Sequence, residues 1–155
     1  MTRLGIVVAA GLGLASTFAP ASLAAQDVGI TGAAEATLPD GASFNGVSLQ
    51  GLTFGQGVFI GEDGSARGQF QAVLQGTTAL GSSQDIVVEG EVSSGSAGNG
   101  TATFSGTANV SMGEGTLPLT AVPFTVTASA GSLGLTLNAL PLPTATVSAG
   151  SITIE

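Results

Sequence analysis

The chain has 155 residues, of which two are basic and ten acidic, and it contains no Cys, His, Tyr or Trp. Lys is absent as well, so beyond residue 26 Arg67 is the only basic side chain. This inventory closes most catalytic and metal chemistry: zinc, copper and iron sites draw on His and Cys, and an activated Ser or Thr needs a His or Lys base beside it.

Met1-Thr2-Arg3 forms a short positive region, Leu4 to Ala15 an apolar one, and Pro20 with Ala21-Ser22-Leu23-Ala24-Ala25 a small-residue cleavage zone. We read residues 1–25 as a cleavable signal helix of the compact bacterial kind. A spanning helix needs roughly 20 uninterrupted apolar residues, and this run is broken at Ser16, Thr17 and Pro20. Residues 26–155 are then expected to be a single exported domain, periplasmic, extracellular or on the cell surface. Its charge of about −9 disfavours nucleic acid and anionic lipid surfaces, which are gripped by clusters of Lys and Arg. Without Cys there are no disulfides, so stability rests on the core, for which Phe44, Phe54, Phe59, Phe70, Phe104 and Phe124 are candidates.

Along the chain the hydrophobic period is two. After Asp27 to Thr37, Pro39-Asp40-Gly41 marks a first break. Glu62-Asp63-Gly64 lies between Gly57 to Gly61 and Ala66 to Gln75, and its Asp-Gly pair predicts a tight hairpin. Phe70, Ala72 and Leu74 alternate with glutamines, and a further strand is expected near Asp85 to Val92. Gly95 to Gly100 reads as a flexible loop. From Thr101 to Val110 even positions are apolar or small and odd ones mostly polar; Val122, Phe124 and Val126 alternate with threonines, and Leu133, Leu135 and Leu137 follow suit. Pro118, Pro123, Pro141 and Pro143 predict strand ends, bulges or edges, since proline cannot donate to a ladder.

Strict alternation points to antiparallel sheets with one wet face, and no segment of the exported part carries a helical stripe. The expected fold is therefore all-β, an antiparallel two-sheet β-sandwich, with a small closed β-barrel as the alternative. The Thr-x-Thr triplets at Thr101, Thr125 and Thr144 are too unevenly spaced for a solenoid repeat.

Few motifs carry chemistry. Glu62, Asp63 and Asp85 are weak calcium candidates, because calcium takes oxygen ligands alone, although an ordinary acidic turn is the plainer reading. Glu89 and Glu91 share a strand face, as a glycosidase pair would, but such clefts commonly stack sugars on Trp or Tyr. The threonine triplets raise ice binding as a third-ranked idea. Asn99-Gly100-Thr101 and Asn109-Val110-Ser111 match a glycosylation acceptor pattern short enough to arise by chance.

The sequence thus predicts a protein that is not an enzyme, with no cofactor and no catalytic, cofactor-binding or firm metal residue. The first reading is a cell-surface, matrix or adhesion component working through an exposed face, loop or sheet edge. The alternative is a soluble exported module that binds calcium or a glycan. Self-association or strand addition through Asp27 to Thr37 or Ser148 to Glu155 is the partner reading, beside the plainer one that both termini pair inside the domain, with no nucleic acid and no membrane span expected once the leader is removed. A polar surface with a bare edge favours the first reading; an apolar concavity lined by Phe favours the second.

Overall fold

The computed structural model describes residues 27–113 and 115–155; the expected signal helix lies outside them. Ten strands form one antiparallel sheet: β1 (Val28–Thr37), β2 (Ser43–Phe44), β3 (Val47–Ile60), β4 (Ser65–Thr77), β5 (Ser83–Gly98), β6 (Thr101–Ser111), β7 (Leu119–Ser129), β8 (Ser132–Leu137), β9 (Leu140–Pro141) and β10 (Ala145–Ile154). Among the described residues there is no helix, and hence none long and apolar enough to cross a membrane.

Turn residues set the connections. Asn45-Gly46, Asn99-Gly100 and Asn138-Ala139 have positive φ at both positions, the geometry whose twist matches that of paired strands. The Asn99-Gly100 turn corrects one expectation: Gly95 to Gly98 is strand, not loop, and continues β5 down to its pairing with Thr101. Between β3 and β4, the Gly61 N–H donates to the Ser65 carbonyl at 2.8 Å and closes the expected hairpin over Glu62 and Asp63.

From β3 to β8 each long strand pairs with the next in sequence. β1 then pairs on one side with β3, from Val28↔Ile60 to Thr37↔Gly51, and on the other with β10, from Ile30↔Ile154 to Thr37↔Thr146. The hydrogen-bonded path β1-β10-β8-β7-β6-β5-β4-β3 therefore returns to β1. Its thinnest link joins β8 to β10, through Leu133↔Ala145 and Ser132↔Thr146 alone.

Alternation decides which side of the sheet is dry. Phe70, Ala72, Leu74, Ala102, Phe104, Ala108, Val110, Val122, Phe124, Val126, Leu133, Leu135 and Leu137 are all buried, as the period-two pattern requires. At the centre, the Phe70 ring stacks on Phe124 with centroids 5.8 Å apart and meets Phe104 at 6.1 Å. Offset and tilted aromatic pairs contribute about 0.5–1.5 kcal/mol each beyond the area they bury. Gly90 makes room for this cluster, since a Cβ there would come 2.6 Å from Phe124 Cε1.

Phe59 departs from expectation. It falls between inward-facing Val58 and Ile60, so strict alternation turns it outward and leaves it 48% exposed. The Arg67 guanidinium lies over its ring at 5.4 Å and reaches the Asp27 carboxylate at 3.4 Å. Both partners of this ion pair are exposed, which limits it to well under about 1 kcal/mol.

The opposite anomaly is Gln56, which faces inward between Phe54 and Val58 and is 8% exposed. Neither end of its amide finds a hydrogen-bond partner among the described residues. A buried polar group left unpaired costs about 1–3 kcal/mol.

These two features predict opposite mutational signs in urea unfolding. Gln56→Met, of similar length but apolar, is expected to raise stability by about 1 kcal/mol or more. Phe70→Ala is expected to lower it by about 3–5 kcal/mol. A stabilising Phe70→Ala or a destabilising Gln56→Met would contradict this account of the core.

Candidate functional site

The three sequence-nominated calcium ligands are not brought together. Glu62 and Asp63 occupy the β3–β4 turn beside Ser65, whereas Asp85 pairs with Gln75 near the far end of β4. At ~3.3 Å per residue, that places them about 30 Å apart along the strand. Among the described residues no three acidic side chains are grouped as a metal site would need. Asp63 instead braces its own turn, where its Oδ1 accepts the Ser65 hydroxyl at 2.5 Å and the Ser65 N–H at 2.9 Å. Both bonds favour the carboxylate, the hydroxyl more strongly, and hold Asp63 below the ordinary Asp range.

Glu89 and Glu91 do share the outer face of β5, and the register surrounds them with amides and hydroxyls. Gln71, Glu89 and Asn109 form one cross-strand row, and Gln69, Glu91 and Thr107 the next. Together they line a shallow depression of about 600 Å³. Glu35, Glu62 and Asp85 each line a further depression singly, whereas here two carboxylates share one. The glutamines of β4 are the part that sequence reasoning misses: their Gln-x-Gln spacing reads as no more than the wet half of an alternation until the register sets them beside the two glutamates.

A second outward feature adjoins it. Thr103 pairs with Thr127, and Ser105 with Thr125 and through it Thr136. The hydroxyls touch across strands, Thr103 to Thr127 at 3.3 Å, Ser105 to Thr125 at 3.0 Å and Ser129 to Ser132 at 2.8 Å. Two of the three threonine triplets thus meet on neighbouring strands at the pair Thr103↔Thr127, offset by two residues, although their uneven spacing in sequence argues against a solenoid repeat. The third, Thr144 to Thr146, joins the same outer face through serines: Thr146 pairs with Ser132, Ser132 with Ser129, and Ser129 with Thr101.

The sheet also has stretches where one strand outruns its neighbour. β7 ahead of Phe124 has no β8 partner, and β9 through Thr144 has no β1 partner. Pro123 lies in the first stretch, Pro141 and Pro143 in the second, so each of these edges has lost donors to proline. The third stretch is different. β10 runs on past Val147, whose N–H reaches the Gly131 carbonyl at 3.0 Å, and from Ser148 to Ile154 it has β1 as its sole strand partner among the described residues.

Ladder geometry shows which groups this leaves free. Gly29 and Glu155 exchange both backbone bonds, at 2.7 and 2.9 Å. In an antiparallel ladder hydrogen-bonded and non-bonded pairs alternate, so Thr153 and Ser151 also bond to β1. Gly150, Ile152 and Ile154 therefore direct N–H and C=O away from β1, along an edge with no Pro, Lys, Asp or Glu between Ser148 and Ile154. Of the two terminal segments nominated from sequence, β1 is paired on both sides and is no edge; β10 is one.

Compared with protein-family models, curated proteins and solved structures, the chain gives no match.

The Asp63 geometry yields a signed expectation. Because its pKa is lowered on folding, its contribution to stability is present above the unfolded value and is lost as pH falls through the folded one. Carboxyl-detected NMR titration should find Asp63 below the ordinary Asp range, and Ser65→Ala should move it back up. A Ser65→Ala protein with an unmoved Asp63 would show that the turn bonds do not set its charge.

Proposed function

We propose that this chain is an exported, non-enzymatic component of a cell surface or extracellular matrix, and that it acts by accepting a strand along the open edge of β10. The observation that carries the reading is the contrast among the long strands' unpaired stretches: those in β7 and after β9 contain proline, Ser83 to Ile86 of β5 carries the charge of Asp85, and the one from Ser148 to Ile154 contains neither proline nor charge. Long uncharged edges invite pairing with another chain, which is why proteins usually blunt them. Burial of Phe44, Phe54, Phe70, Phe104 and Phe124 also supports this choice, since the competing reading asks for a Phe-lined concavity. In the same proposal, the cyclic pairing closes the sheet on itself as a small barrel, in place of two separate sheets, so that β10 offers its edge from an otherwise continuous wall.

The test is retention in the envelope or matrix fraction of cells that express the protein. Ile154→Pro removes an N–H that faces the open edge and none that bonds β1, while Thr153→Lys charges the edge from its exposed side. Both should remain folded by circular dichroism and shift several-fold from the retained fraction to the medium. Equal retention of wild type and both variants would overturn the proposal.

The Gln69, Gln71, Glu89, Glu91, Thr107 and Asn109 depression favours a second reading, a glycan-binding module, because amides and carboxylates side by side satisfy paired sugar hydroxyls. On a glycan array, wild-type signal that disappears in Glu89→Ala and Asn109→Ala would support it; a blank array would dismiss it.

A further inference from the structure

We infer that the strand accepted by β10 is β10 of a second copy, paired antiparallel about a two-fold axis at Ile152. This rests on the open-edge reading above and adds the partner and the register. Gly150, Ile152 and Ile154 are the residues whose N–H and C=O face outward, and their spacing is symmetric about Ile152. A two-fold there sets Ile152 opposite Ile152 of the second copy, and Gly150 opposite its Ile154 in both directions. All three residues of each copy are used, each pair exchanges two backbone bonds, and roughly six bonds form in all. Moving the axis toward Ala149 runs the pairing into Ser148, where a bulge between Glu35/Ala36 and the Val147–Ala149 stretch breaks the ladder. Moving it toward Ile154 leaves Gly150 without a partner within the strand.

Charge fits the same register. The edge is uncharged from Ser148 to Ile154, and Glu155 falls opposite Ala149 of the second copy, not opposite its own counterpart. The two Glu155 positions stand about 20 Å apart at ~3.4 Å per residue, beyond a Debye length at physiological salt. This matters for a domain whose charge of about −9 otherwise opposes self-association. Pairing of one edge with itself about a two-fold axis is also isologous, so the assembly closes as a dimer.

Outside the hydrogen-bonded pairs, Ser151 lies opposite Thr153 of the second copy, both side chains exposed on the outer face. Such non-bonded pairs bring Cα atoms to ~4.5 Å, inside the range a disulfide spans. The chain has no cysteine to confuse the result. We expect a mixture of Ser151→Cys and Thr153→Cys proteins to form a mixed disulfide dimer under mild oxidation, while each alone forms at least ten-fold less. Ser151→Lys with Thr153→Lys should turn the native dimer into monomer by sedimentation velocity, and Ser151→Lys with Thr153→Glu should restore it. A Ser151→Cys protein that crosslinks to itself would overturn the register. Monomer at all concentrations with no mixed disulfide would overturn the second copy as partner. In that case the retention assay still reports on the open edge: retention lost in Ile154→Pro keeps the edge reading alive without self-pairing.

Discussion

Everything in this fold depends on a two-residue period that puts one face of each strand into a shared interior. Backbone pairing alone would hold the sheet in several registers. The apolar parity fixes one, because a slip by a single residue would send Phe70, Phe104 and Phe124 into water and glutamines and threonines inward. With no disulfide and a single exposed ion pair, nothing else in the described residues competes with that term. The aromatic stack at Phe70 marks where the constraint is tightest, and the glycine at position 90 is the space it requires.

The same parity produces the surface. What alternation excludes from the interior is gathered outside into patches with chemical character: amides and carboxylates on β4 and β5, hydroxyls on β6, β7 and β8. The ladder's second alternation, in hydrogen-bond direction, produces the edge. β1 spends both of its sides on neighbours, whereas β10 outruns the short β8 and is left with one side open. An unmet donor in water is harmless, but a row of them without proline or charge is a template.

Much of this is legible in the chain. The alternating runs, the Asp-Gly hairpin at Glu62 to Gly64 and the all-β class follow from residue order, because side-chain parity and turn conformations are local properties. Long-range pairing is not. Whether β1 closes onto β3, and how far β8 accompanies β10, depends on contacts between segments separated by more than a hundred residues for β1 and β10. The Asn99-Gly100 turn is hidden because Gly95 to Gly98 has a loop composition, yet a strand runs through it opposite Thr101 to Phe104. Phe59 misleads for the converse reason: its composition says core, but its parity says outside. The acid set of Glu62, Asp63 and Asp85 can be proposed from residue type alone, and only the length of β4 reveals that it spans the domain.

Amide hydrogen exchange resolved residue by residue, on dilute protein, tests the central claim most directly. If β10 has one open side, the Ser151 and Thr153 amides are protected by β1 while those of Ile152 and Ile154 exchange near solvent rates, and amides of both parities in β1 are slow. Slow exchange at Ile152 and Ile154, matching Ser151 and Thr153, would mean that the edge is already covered within a single molecule and would contradict the account.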